Sequence, residues 1–227
     1  MSAERVSSRA MIVAIDGPAG VGKSSVARGL ARALALPFLD TGAMYRAITL
    51  AVLRAEADPT DGEACGAIAR AVSVDVASDG EVLLDGVRSG GEVRSPAVDA
   101  AVSPVSAHPE VRREIVPVQR AVAARGAGVV AEGRDTTTTV FPDAEHKFYL
   151  TASPTERARR RAAQVGQPER VGEIEGELAR RDRQDSTRAT SPLMQASDAV
   201  VVQTDGLSAE EVVGTLLERL GGGGSRS

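Results

Sequence analysis

Residues 11–15, Met-Ile-Val-Ala-Ile, are an unbroken apolar run followed by a glycine-rich turn and then by Val26, Leu30 and Leu34 at helical spacing. That pattern predicts a buried strand passing through a loop into an amphipathic helix. A second short strand is predicted at 37–40, a helix at 42–57 and, after the break Asp58-Pro59-Thr60, another helix near 62–71. Strand and helix alternate, as in a parallel α/β sheet. The period then changes: Val72, Val74 and Val76 alternate with Ser73 and Asp75, and Asp79-Gly80 and Asp85-Gly86 flank the short run 82–84. Two Asp-Gly turns between short alternating runs imply an antiparallel meander, which has no place inside a doubly wound parallel sheet. Residues 73–94 are therefore expected to be an inserted subdomain. Helical patterns resume after Pro96 and Pro109, buried strands are predicted at 128–131, 147–150 and 199–203, and a closing helix carries Val212, Val213, Leu216, Leu217 and Leu220 on one face. The expected domain is 1–220, with residues 221–227, GGGGSRS, a flexible tail outside it.

Composition narrows what such a domain does. The chain has 227 residues, 42% hydrophobic and 26% charged, values that fit one globular core and exclude both a disordered chain and a membrane protein. Aromatics are 2%, with no Trp, so stacking platforms for single-stranded nucleic acid are hard to assemble. A net charge of −4 likewise lacks the basic footprint of a nucleic-acid binder. Cys65 is the only cysteine, which rules out internal disulfides and any CxxC motif. His108 and His146 are too few and too far from acidic clusters for a His-based metal site or a Ser-His-Asp triad. With no apolar run long enough for a signal or a span, a cytoplasmic protein is expected, working without membrane or nucleic acid and as a monomer.

The strongest chemical signal is Gly17-Pro18-Ala19-Gly20-Val21-Gly22-Lys23-Ser24, which satisfies G-x-x-x-x-G-K-[ST] between a predicted strand and a predicted helix. Such a loop lets successive backbone N–H groups converge on phosphate oxygens at the positive end of a helix. Lys23 adds charge near the β and γ phosphates, and the Ser24 hydroxyl can take one position on Mg²⁺. Lysine is otherwise almost absent: only Lys23 and Lys147 occur against 25 arginines.

A phosphate loop specifies a nucleotide, not a reaction. Asp40-Thr41-Gly42-Ala43-Met44-Tyr45-Arg46 follows a predicted strand, so Thr41 lies near a helix N-terminus with Arg46 about one turn on. Glu132-Gly133-Arg134-Asp135 follows the 128–131 strand, at the edge where open α/β sheets bind ligands. There Glu132 or Asp135 could hold Mg²⁺ through water while Arg134 faces phosphate. Nine arginines, 157, 159, 160, 161, 170, 180, 181, 183 and 188, stand against six acids between 157 and 188. This local excess suggests a lid, at about 157–171, that brings guanidinium groups onto a transferring phosphoryl group. Arg181, Asp185 and Arg188 are spaced to share one helix face and suit a ribose-phosphate unit. These residues alone leave open a P-loop switch and a kinase for another small acceptor such as UMP or AMP.

Four segments together, IDGPAGVGKSS (15–25), LDTGAMYRA (39–47), EGRDTTTTVFPDA (132–144) and RRDRQDSTRATSPL (180–193), make the chain resemble the bacterial cytidylate kinases. The resemblance covers nearly the whole chain. It implies a P-loop nucleoside monophosphate kinase core, with a parallel sheet, an acceptor-binding subdomain enlarged by a small antiparallel sheet and a short Arg-rich lid. The implied activity is transfer of the ATP γ-phosphoryl group to CMP or dCMP with Mg²⁺. Residues 17–24 and Ser25 would then bind ATP. Thr41, Gly42, Tyr45, Arg46 and Glu132 would line the acceptor site, with Arg46, Arg134 and Arg181 on the acceptor phosphate. Ser103, Arg112 and Asp135 match positions that recognise the cytosine edge, and Asp185 and Arg188 match those that hold the ribose. Lys23, Arg134, Arg181, Arg157 and Arg161 would carry catalysis, with Arg160 alongside the last two in the lid. Thr136 to Thr139 depart from the hydrophobic and glycine residues that more usually follow Gly-Arg-Asp.

Overall fold

The computed structural model describes residues 10–221. The expected tail from residue 222 onward, and the stretch before Ala10, lie outside the described residues. The first apolar run forms β1 (Met11–Asp16) and leads into α1 (Lys23–Leu34). Then come β2 (Phe38–Asp40), α2 (Thr41–Arg54) and α3 (Gly62–Ala71). Helix α2 stops three residues short of the expected 57. Glu56 takes a left-handed φ of 52°, and the Ala57 N–H reaches back to the Val52 carbonyl (3.1 Å), a geometry that ends a helix.

The meander predicted at 73–94 is present as β3 (Val74–Val76), β4 (Val82–Leu84) and β5 (Val87–Arg88), a separate three-stranded antiparallel sheet. Asp85 and Gly86 both have positive φ, 51° and 77°, as a two-residue hairpin turn with right-handed strand twist requires. A short 3₁₀ turn, Glu92–Arg94, leads to α4 (Pro96–Ala107) and α5 (Pro109–Ala123), each opened by a proline whose missing N–H needs no partner there. The chain ends β6 (Gly128–Glu132), β7 (His146–Thr151), α6 (Pro154–Gln164), α7 (Val171–Thr187), β8 (Val200–Gln203) and α8 (Ala209–Gly221).

Five parallel strands form the main sheet in the order β2-β6-β1-β7-β8. Alternation along β1 and β6 divides the core. Val13, Ile15 and Val130 pack with α1 and α8, whereas Ala14, Val129 and Ala131 face α2, α3, α5 and the inserted sheet. Strands covered on both faces must be apolar throughout, which accounts for the unbroken runs. β8 departs from the expectation of a buried strand: Val200 and Val201 are exposed and only Val202 is buried. It is the sheet's edge, and α8 covers one of its faces. Helices α6 and α7 form a hairpin around a small core of Ala158, Ala162, Ile174 and Leu178, into which Ala19 of the glycine-rich loop inserts.

This topology positions the site. β1 and β6 are neighbours with Ile15 opposite Glu132, so the loops after them emerge side by side at the carboxyl edge of the sheet.

Candidate active site

The glycine-rich loop turns tightly against the sheet. A Cβ at Gly17 would lie 2.2 Å from the Leu150 carbonyl oxygen, so no larger residue fits between β1 and β7. Gly20 and Gly22 take φ of 81° and 92°, open to glycine at little cost. Helix α1 begins at Lys23, whose ammonium is buried and donates to the Pro18 carbonyl (2.7 Å). Burial, and then Arg134, lower the Lys23 pKa to about 7. The Ser24 hydroxyl donates to the Glu132 carboxylate across the gap between the loops. Burial and Asp40 raise Glu132 to about 7. Thr41 Oγ1 donates to the Glu132 carbonyl (2.7 Å), and Asp40 caps α2 through the Ala43 N–H (2.8 Å).

A cleft of about 550 Å³ runs from Gly20 to Ser25, past Glu132 and Arg134, to Thr41, Tyr45, Ser103 and Ser106. Its middle is strongly cationic: Arg46, Arg134, Arg161 and Arg181 all line it. Arg134 Nε is held by Asp185 (3.0 Å), and Arg46 donates to Asp99 (2.5 Å) and the Val93 carbonyl (3.1 Å). Arg181 takes part in no ion pair among the described residues; burial, with Arg134 and Arg46 close by, lowers its pKa to about 10. Such a half-neutralised cluster suits a polyanion.

At the far end Asp135, 3% exposed, pairs with the buried guanidiniums of Arg112 and Arg188 (3.4 Å for Arg188). Arg112 also donates to the Ser106 carbonyl (3.0 Å) and lies over the Tyr45 ring, 5.2 Å from its centre. Burial raises Asp135, opposed by Arg112 and Arg188. Two fixed donors and a carboxylate in so dry a corner can distinguish donor from acceptor on a planar ring.

Comparison with known proteins gives this arrangement its family. A family model described as cytidylate kinase matches residues 13–221. The chain belongs to the cytidylate kinase family. It is 50% identical over 209 residues to a cytidylate kinase of Mycobacterium avium (strain 104), covering 89% of this chain and 92% of that protein. To a cytidylate kinase of Symbiobacterium thermophilum it is 46% identical over 216 residues, 92% of this chain and 95% of the relative. A bifunctional pantoate ligase/cytidylate kinase of Synechococcus sp. (strain CC9902) is 46% identical over 218 residues, 92% of this chain but 45% of that longer protein.

Most of the residues singled out from the sequence line the one cleft, but several do not. Gly17, Pro18 and Ala19 form the outer turn of the loop, and Arg112 stands behind Asp135 rather than on the cavity wall. Arg157, expected among the lid arginines that reach phosphate, points elsewhere: it donates to the Ala19 carbonyl (3.0 Å) and pairs with Asp182, which accepts from the Ala19 N–H (3.0 Å). It braces the loop from behind because α6 presents that face to the Ala19 turn. Arg188 does not share a helix face with Arg181 and Asp185; α7 ends at Thr187, and Arg188 adopts extended backbone (φ −62°, ψ 141°). That break turns its side chain to the Ser191 carbonyl and Asp135.

Sequence reasoning missed Asp16. It is fully buried and accepts four hydrogen bonds, from the N–H and hydroxyl of both Thr136 and Thr137 (2.6–2.9 Å). These threonines open a single wide π-type helical turn, Thr136–Val140. The unusual run after Gly-Arg-Asp thus ties the acceptor-side loop to the residue preceding the phosphate loop. The only sequence signal was an acid and four hydroxyls in two distant loops.

Proposed function

We propose that this chain transfers the γ-phosphoryl group of ATP to CMP or dCMP. An acceptor phosphate oxygen forms a bond to the γ-phosphorus as the bond to the β,γ-bridging oxygen breaks, giving CDP or dCDP and ADP. The observation that carries this reading is one cavity with a phosphate loop at one end, a cluster of four arginines in the middle and, at the other, a corner of Asp135 and Arg188 backed by Arg112.

ATP phosphates lie along residues 20–25, with Lys23 near the β and γ groups and Gly17, Pro18 and Ala19 shaping the loop behind them. The acceptor phosphate faces Arg46, Arg134 and Arg181, the ribose faces Asp185 and Arg188, and the cytosine edge faces Asp135 and Ser103, with Arg112 behind Asp135 holding its carboxylate. Thr41, Gly42 and Tyr45 complete the acceptor wall. No general base is needed, since a phosphate monoester with a second pKa near ~6 is already deprotonated at neutral pH. The protein's contribution is positioning and neutralisation. Ser24 and Glu132 are hydroxyl and carboxylate oxygens at the end of the phosphate loop, a donor pair that fits Mg²⁺. When bound, Mg²⁺ supplies neutralisation of phosphate charge.

The segment 157–171 would act as a lid over the nucleotide phosphates, with Arg161 rather than Arg157 on the cleft side. The inserted sheet at 73–94 would enlarge the acceptor side. The test is a coupled assay of ADP formation with ATP, Mg²⁺ and CMP, dCMP, UMP or AMP in turn. CMP and dCMP are expected to be turned over best. Faster turnover of AMP or UMP, or no acceleration by any monophosphate, would overturn the reading.

A further inference from the structure

Asp99 belongs to none of the sequence motifs and does not line the cleft, yet its carboxylate joins two arginines that do. It lies in the first turn of α4, where the helix dipole favours an anion. Oδ1 accepts from Arg46 of α2 (2.5 Å), and Oδ2 accepts from Arg161 of α6 (3.2 Å). Arg46 is on the acceptor wall, whereas Arg161 is in the segment read as the lid. No other carboxylate among the described residues forms ion pairs with both walls of the cleft in this way. Because Asp99 is not part of the cleft wall, an arriving phosphate need not displace it.

We infer that Asp99 is a positioning residue that couples the acceptor site to the lid. A carboxylate shared by two guanidiniums favours the arrangement in which both point into the cleft together. Fixing Arg46 on an acceptor phosphate also fixes Asp99, and Asp99 then holds Arg161 over the nucleotide. Arg181 reinforces the effect, since Asp99 partly offsets the like charges Arg46 and Arg134 that surround it. In energetic terms, each ligand would pay part of the ordering cost of the other's site. The inference rests on the functional reading above.

The experiment measures CMP affinity calorimetrically, with and without a saturating nonhydrolysable ATP analogue and Mg²⁺, for the unmutated protein, Asp99→Asn, Arg161→Gln and the double variant. The unmutated protein is expected to bind CMP more tightly with the analogue present. Asp99→Asn should reduce that ratio at least fivefold while leaving analogue affinity alone within about twofold. Arg161→Gln should reduce it comparably, and the double variant should add little further. Melting temperatures show that each variant is folded, and Asp99→Glu should recover part of the coupling. If Asp99→Asn weakens CMP equally with and without the analogue, Asp99 merely orients Arg46 and the coupling role is overturned. An unmutated ratio of one overturns it too. Failure of the unmutated protein to bind CMP would instead remove the functional reading, and the inference with it.

Discussion

Replacing Asp135 by Asn tests how the base is chosen. Asp135 is 3% exposed and shares its carboxylate between Arg112 and Arg188, yet an ionised carboxylate retains acceptor capacity beyond those two contacts. Cytosine presents an amino donor to it, whereas uracil presents a carbonyl oxygen. In Asp135→Asn, the amide can aim its NH₂ at the cytosine amino group, a clash of donors. Flipped, it aims the same NH₂ at the buried guanidinium of Arg112, another clash of donors. Each mispaired buried group costs about 1–3 kcal/mol, so both orientations penalise CMP, while UMP is spared in the first. The CMP to UMP ratio of kcat/KM should therefore fall by about 5- to 150-fold. The fold also weakens, because Arg112, with its side chain 5% exposed, loses a charged partner. A loss of about 3 kcal/mol corresponds to about 6–12 °C in melting temperature for a domain of this size. Steady-state assays with both acceptors well below that transition, alongside a melting curve, separate the two effects. A ratio within twofold of the unmutated value, with both activities reduced together, would show that Asp135 is only a structural anion and refute the base-reading role.

Lys23→Ala should lower kcat about 10²- to 10³-fold with CMP as acceptor, since a charge aimed at the transferring phosphoryl group is lost. A near-normal rate would contradict its place in the mechanism. Lys23 and Glu132, both displaced to about 7, also predict a proton exchange that changes sign with pH. At pH 8, above the Lys23 value, phosphates draw a proton onto Lys23 as they bind, whereas at pH 6, below the Glu132 value, cation binding releases a proton from Glu132 to solvent. Calorimetry of preformed Mg-nucleotide complex in buffers of different ionisation enthalpy reads the sign, and Lys23→Ala should abolish the uptake at pH 8. Arg181→Leu should raise the CMP KM at least tenfold with little effect on ATP. It should also raise the melting temperature: the folded pKa of about 10 lies below the ordinary 12.5, so the charge costs about 1–3 kcal/mol at neutral pH. A lower melting temperature would show that the guanidinium is better satisfied than its geometry implies. Asp16→Ala should cost about 3–5 kcal/mol of stability, because it strips four donors of their shared acceptor. Denaturant melts measure this, and a loss below 1 kcal/mol would mean that water replaces the carboxylate.

The elements of this chain were legible in its sequence wherever one local rule governed them. Strands buried on both faces read as unbroken apolar runs, Asp-Gly pairs marked the inserted meander, and the glycine-rich loop announced itself because phosphate binding needs contiguous backbone N–H groups. Errors fell where the outcome depended on neighbours far along the chain. β8 is apolar but lies at the sheet edge, which strand order alone decides. Arg188 continued the helical spacing, yet α7 ends before it and its side chain reaches Asp135, fifty-three residues away. Arg157 looked like its neighbours Arg160 and Arg161, and only the rotation of α6 against the Ala19 turn sent it behind the loop rather than into the cleft. Asp16 lay inside the 15–25 segment without any sign of its partners, and Asp99 belonged to no motif. Their partners lie on other elements, and a carboxylate's role is set by which guanidiniums and hydroxyls reach it. Residue types and short-range spacing thus determined the chemistry this chain can perform, because backbone hydrogen bonding and phosphate affinity are local properties. The pairing of each charge was a tertiary decision, because electrostatic partners are chosen by distance in space and not by position along the chain.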